Sequence, residues 1–134
     1  SEMCIRDRHL SVPTQIDFLK VSSYGSGTST SGKVDIQFDT SRNLAGKNVL
    51  IVDDVVDSGL TLKAVRELFR TRNCKSIRLA AMLDKKERRL VKMVPDYYGF
   101  VIPDEFVVGF GLDYNEDYRT LPYVGILKRS VYEK

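Results

Sequence analysis

Apolar and polar positions alternate over residues 16–22 (IDFLKVS) and again over residues 34–38 (VDIQF). This is the period-two pattern of half-buried strands. Between them, SYGSGTSTSGK (residues 23–33) is rich in Gly, Ser and Thr and has few side chains to bury, so the pair is expected to form a hairpin with a long mobile connection. After turn-forming residues 39–47, NVLIV (residues 48–52) is a continuous apolar run, expected to be a strand buried on both faces as in a parallel sheet. Leu62, Val65, Leu68 and Phe69 then recur at helical spacing within residues 60–73, with Ser58 placed to cap the helix. SIRLAAML (residues 76–83) is the next strand, so strand, helix and strand form a right-handed βαβ unit. The charged segment DKKERRLVKM (residues 84–93) reads as a solvated loop or short helix ended by Pro95. Short strands follow over residues 98–102, 105–111 and 123–127, with a turn-rich stretch over residues 112–122.

This order is α/β. A doubly wound sheet needs helices on both faces, and the pattern offers one long helix. The sheet is therefore expected to be under-covered, as if part of the domain preceded residue 10. Residues 1–8 (SEMCIRDR) fit no element and read as a non-native N-terminus, leaving residues 11–134 as a partial domain.

Composition narrows the chemistry. The 134 residues are 43% hydrophobic and 29% charged, with a formal net charge of +3. That balance suits one globular domain and gives no argument for nucleic acid. No apolar run approaches the ~20 residues of a membrane span, and the N-terminus lacks the apolar core of a signal peptide. Cys4 and Cys74 have no metal-type spacing and read as free thiols in a reducing, cytoplasmic setting. His9 is the only histidine, so acid–base work falls to carboxylates, Lys or Tyr.

Three acids, Asp53, Asp54 and Asp57, follow the apolar run and precede Ser58-Gly59-Leu60-Thr61. The carboxyl end of a parallel strand is where open α/β sheets bind ligands. The turn into the helix offers backbone N–H groups and the helix dipole to a phosphate, with Gly59 allowing close approach and Ser58 and Thr61 adding hydroxyls. Asp53 and Asp54 would repel that phosphate and suit hydroxyls or a hydrated divalent cation instead. Both halves fit a ribose 5-phosphate. The plainer alternative is that the acids merely cap the helix.

VLIVDDVVDSGLTL (residues 49–62) closely resembles the phosphoribosyl-diphosphate (PRPP) signature of the type I phosphoribosyltransferases. Residues 22–32 are similar to the mobile active-site loop of the bacterial hypoxanthine-guanine branch. Residues 83–89 and 103–128 are similar to its purine-binding segments. The resemblance implies that fold, a mainly parallel sheet with flanking helices. Nothing in residues 1–15 matches the family's N-terminal strand and pyrophosphate loop, so the chain is expected to lack them and to be impaired.

By this resemblance the chain converts hypoxanthine or guanine plus PRPP to IMP or GMP plus pyrophosphate, using Mg2+. Asp53 and Asp54 hold the ribose hydroxyls near the metal, and residues 57–61 (Asp57, Ser58, Gly59, Leu60, Thr61) cradle the 5′-phosphate. Asp57 is the general base at purine N7, and Ser23 with Tyr24 covers the pyrophosphate. Lys85 donates to the 6-oxo group, because an ammonium has only donors; Lys86 is the neighbouring alternative, and surface solvation the plain reading of both. Phe106 stacks on the base, or is a core phenylalanine. The Val107 main chain reads the purine edge. Asp113 serves a second Mg2+ and Arg119 the pyrophosphate, unless the two form only a turn salt bridge. Family members are commonly homo-oligomers, with no membrane or nucleic-acid partner expected. The rival reading is a non-catalytic PRPP-sensing regulator on the same fold, for which KKERR (residues 85–89) would be a thin nucleic-acid surface.

Overall fold

The computed structural model describes residues 9–23 and 34–132. The chain divides into two compact units, Ser1–Asn43 and Leu44–Lys134. The N-terminal residues 1–8 and the Gly/Ser/Thr-rich connection over residues 24–33, including Tyr24, lie outside the described residues.

In the first unit, β1 (Lys20–Ser23) pairs antiparallel with β2 (Val34–Phe38), as the alternation predicts, with Val21 opposite Ile36 and Ser23 opposite Val34. The first strand is shorter than its pattern: residues 16–19 are not extended into the sheet. Asp17 explains the difference. Its carboxylate accepts hydrogen bonds from the N–H of Phe18 (2.9 Å), the Ser41 hydroxyl and the N–H of Arg42 (3.0 Å). These ties fold the segment locally, as short polar side chains do when they compete with ladder bonding. They also hold the Asp17 carboxyl below its usual range, the Phe18 N–H contributing most.

The second unit is built on a parallel sheet in the order β3 (Asn48–Val56), β4 (Ser76–Asp84), β5 (Tyr97–Val101). Helix α1 (Leu60–Arg70) connects β3 to β4 and buries Leu62, Val65 and Phe69. Val56, Leu62, Leu79, Ala81 and Met93 form the core, with Ile51 and Val91 packed against it. Burying such side chains contributes ~1.5–3 kcal/mol each. A short antiparallel pair, β6 (Val107–Val108) with β7 (Gly125–Ile126), and a single turn α2 (Arg129–Tyr132) complete the unit. Among the described residues no helix is long and apolar enough to cross a membrane.

Four expectations need correction. The strand begun by NVLIV runs on to Val56, so Asp53 and Asp54 lie within β3 and not after it. That strand is not buried on both faces: Leu50 and Val52 are 50% and 48% exposed. Met82, Tyr97 and Val101 of the neighbouring strands are exposed too, which agrees with the expected under-covered sheet. The segment after β4 does hold a short helix, the 3-10 turn Lys86–Arg88, but it is only partly solvated, since Lys85 and Met93 are buried, as is Asp84 at the end of β4. The strand expected over residues 105–111 shrinks to Val107–Val108, because Gly109, Phe110 and Gly111 take positive φ (89°, 53° and 94°) and turn the chain. Gly109 also passes so close to the Tyr123 carbonyl that a Cβ would stand 2.1 Å from it.

Candidate active site

The end of β3 and the turn after it line a cleft of about 160 Å³, walled by Asp53 to Gly59 with Thr61 and Leu62. β3 presents Asp53 half-buried and Asp54 exposed. Each is bonded to the backbone just beyond it: Asp53 Oδ1 accepts from the N–H of Asp54 (3.0 Å), and Asp54 Oδ1 from that of Val55 (2.7 Å). Burial, and then the charge of Asp54, push the Asp53 carboxyl up to about 6. Two adjacent carboxylates, one in a desolvated position, are relieved by a cation or by hydroxyl donors.

Helix α1 starts differently from the expectation. Its N-cap is Gly59, in the left-handed conformation (φ 80°), and no side chain caps it. Ser58 Oγ reaches the Leu60 N–H only at 3.4 Å. A turn that needs positive φ favours glycine over serine, and a helix start without a side-chain cap leaves backbone donors for a ligand. Ser58, Gly59 and Thr61 line the cleft at this turn, and Leu60 is the first residue of the helix.

Asp57 faces the segment that follows β4. Lys85 Nζ lies 3.8 Å from its Oδ2, and Arg88 Nε lies 2.9 Å from its Oδ1. The Arg88 contact is an ion pair without hydrogen-bond alignment, so the buried Oδ1 keeps an unused lone pair. Arg88 also holds Asp104 at 3.2 Å, and these two acids keep its guanidinium above its usual range, the Asp104 hydrogen bond most. The alternatives for the lysine separate cleanly. Lys85 is 6% exposed and aims at Asp57, whereas Lys86 is exposed and stands over the Tyr98 ring, 4.7 Å from its centroid.

The remaining candidates sit on the β6–β7 region. Phe106 is a partly exposed member of an aromatic cluster and not a core phenylalanine. Its ring meets Tyr114 edge-on and Tyr132 at a tilt, both at 5.4 Å between centroids. Val107 begins β6 opposite Ile126, and the carbonyl of Phe106 accepts from the N–H of Leu127 at 2.7 Å. Asp113 and Arg119 form the turn salt bridge weighed as their plain alternative, at 3.0 Å, with Arg119 also holding Glu116 and the Gly111 carbonyl. Among the described residues no group of three or more His, Cys, Asp or Glu side chains could hold a metal ion by itself. Asp53, Asp54 and Asp113 thus do not make one protein-only cage. An ion such as Mg2+, which keeps waters and takes oxygens from a phosphorylated ligand, needs only one or two carboxylates, and the Asp53–Asp54 pair fits that donor set.

The sequence reading missed Arg88 and Arg89 as site residues. Arg89 is largely buried and its guanidinium binds Asp84, the Met93 carbonyl and the Asp57 carbonyl. The one signal for it was an acid closing an apolar strand, Asp84, which a buried position obliges to find a cation.

A model of the phosphoribosyl transferase domain matches residues 7–115. The hypoxanthine-guanine phosphoribosyltransferase of Streptococcus pyogenes serotype M3 is 50% identical over 127 residues, covering 95% of this chain and 71% of that protein. Among solved structures, a hypoxanthine phosphoribosyltransferase from Staphylococcus aureus superposes with a TM-score of 0.91 at 43% identity, over 98% of this chain and 72% of that one. The Trypanosoma cruzi hypoxanthine phosphoribosyltransferase, in complex with the product IMP, gives 0.86 at 39% identity, over 98% and 69%.

Proposed function

We infer from its place among the hypoxanthine-guanine phosphoribosyltransferases, the family to which the chain belongs, that it joins hypoxanthine or guanine to the ribose 5-phosphate of PRPP. The products are IMP or GMP and pyrophosphate, and the process is purine salvage. At the ribose C1 the bond to the pyrophosphate oxygen breaks and a bond to purine N9 forms, while the purine gives up one proton. The observation that carries the reading is Asp57. One turn supplies both a phosphate-sized cradle and a carboxylate that faces a buried lysine.

The 5′-phosphate fits the turn of Ser58, Gly59, Leu60 and Thr61, whose backbone donors lack a side-chain cap. The ribose hydroxyls then reach Asp53 and Asp54, which accept from them. Asp57 takes the proton at N7 as positive charge builds on the base. Lys85 donates to the 6-oxo oxygen. Its burial makes the interaction selective, since the amino group of adenine would face an ammonium that cannot accept. Phe106 offers its partly open ring to stacking, and the strand backbone at Val107 offers edge contacts. Mg2+, held by Asp53 and Asp54, would neutralise charge on the pyrophosphate as it leaves. Arg119 pairs with Asp113 at 3.0 Å; Arg119 would meet the pyrophosphate and Asp113 a second Mg2+. A homo-oligomeric state and a cytoplasmic setting rest on the family alone.

The test is direct. The chain is incubated with PRPP, Mg2+ and a panel of hypoxanthine, guanine, xanthine and adenine, and nucleotide and pyrophosphate are quantified. Equimolar IMP or GMP and pyrophosphate, with no AMP, is the expected result. AMP formed in preference to both IMP and GMP, or no binding of PRPP by the chain, would refute it.

A further inference from the structure

Arg89 does not itself line the cleft, yet the turn that does is built on it. Its side chain is 13% exposed, while that of Arg88 is 55% exposed. Three of its nitrogens have separate duties. Nε donates to the Asp57 carbonyl at 3.2 Å, one terminal nitrogen donates to the Met93 carbonyl, and the other pairs with Asp84 Oδ1. Asp84 is 1% exposed, and its second oxygen has no hydrogen-bond partner among the described residues. Its charge therefore leans on this arginine. The aliphatic part of Arg89 fills the space beside Gly59. A Cβ at that position would stand 2.7 Å from Arg89 Cδ and 3.1 Å from Met93 Cε. The main chain around it is stitched to the same turn, since Leu90 N–H donates to the Ser58 carbonyl at 3.0 Å.

We propose that Arg89 is a positioning residue: from behind the turn it fixes the backbone of residues 57–59 in the shape that receives the 5′-phosphate. Its guanidinium is a planar fork with donors in fixed directions, so it can hold a carboxylate and two carbonyls at once; a lysine ammonium can replace the charge but not this geometry. Asp84 keeps the fork in register, and the bare Cα of Gly59 lets the arginine stem lie flat against the turn. The step to phosphate affinity rests on the function proposed above. The step to turn geometry does not.

The experiment compares wild-type chain, Arg89→Lys, and the double variant Asp84→Asn/Arg89→Met, which removes the buried pair together so that no charge is stranded. Amide hydrogen exchange is followed at Lys63 and Leu90, whose N–H groups donate to the Gly59 and Ser58 carbonyls of the turn, and, as a reference, at Leu79 in the middle of β4. Ribose 5-phosphate binding is titrated calorimetrically against the folded fraction of each protein. Arg89→Lys should speed exchange at the turn at least tenfold, leave Leu79 unchanged, and weaken ribose 5-phosphate about tenfold. The double variant should do the same or more. Turn exchange as slow as in the wild type in both variants would overturn the proposal. So would exchange rising equally at Leu79, or lost binding fully accounted for by lost folded protein, because either would make Arg89 merely structural. A turn that opens in the variants, with no ribose 5-phosphate binding by the wild type, would uphold the clamp and refute the phosphate assignment.

Discussion

Asp53→Asn is expected to make the metal-free chain more stable while disabling its site. In the folded protein the Asp53 carboxyl is raised from 3.8 to about 6, first by burial and then by Asp54. A carboxyl raised on folding binds its proton more tightly in the native state, so the native state gains relative stability as pH falls toward the unfolded value and loses it as pH climbs through about 6. Above that range the charged form opposes folding by about 3 kcal/mol, from a shift of about two units at 1.36 kcal/mol each. Near pH 4.5 the same values leave about 1 kcal/mol. Asparagine removes the charge and keeps an oxygen able to accept the 3.0 Å hydrogen bond from the Asp54 N–H. Urea unfolding with a chelator present should therefore show Asp53→Asn gaining up to about 3 kcal/mol at pH 8 and about a third of that near pH 4.5. Millimolar Mg2+ with pyrophosphate should stabilise the wild type and not the variant. A variant less stable than wild type at pH 8, or a gain independent of pH, would refute the claim that Asp53 is held at an electrostatic disadvantage.

Other substitutions probe the rest of the cleft. Asp57→Asn should leave the fold and ribose 5-phosphate affinity intact while lowering kcat by ~10²–10⁴, the range for losing a general base; steady-state kinetics with hypoxanthine and PRPP checks it, and unchanged kcat would remove Asp57 from that role. Lys85→Gln should raise the KM for hypoxanthine by about 10–100-fold, as for a lost charge-assisted hydrogen bond, and narrow the preference over adenine in a competition assay. Gly59→Ala should destabilise the chain by ~1–3 kcal/mol, since alanine would meet both a φ of 80° and the Arg89 stem; chemical denaturation reads it, and a neutral result would mean the turn relaxes freely.

The parallel βαβ unit was legible because its signals are local. An apolar run, an amphipathic helix and a second apolar run leave few alternatives, and all three elements form where their patterns begin; β3 extends four residues further, the helix ends three residues earlier at Arg70, and β4 runs one residue longer. That extension was hidden because Asp53 and Asp54 have poor strand propensity in isolation. Their place in the ladder is set by pairing with β4, where Asp53 lies opposite Ala81. The loss of strand around residues 109–111 was equally invisible, since Phe110 at positive φ answers to a tertiary constraint and not to its own preference. In the site, the motif acids and the turn could be read from spacing. The difference between Lys85 and Lys86, and between Arg88 and Arg89, could not: adjacent residues of the same charge diverge only once the 3-10 turn sends one inward and the other to solvent.

That same turn sets a constraint on chain length. Within five residues, Lys85 and Arg88 address the Asp57 side chain while Arg89 addresses its carbonyl. The two residues between, Lys86 and Glu87, are exposed. A change at those two positions alters exposed side chains and the Lys86 contact with Tyr98, whereas gaining or losing a single residue there shifts all three cations out of phase with one aspartate. The geometry of this connection thus depends on its length more strictly than on its spelling.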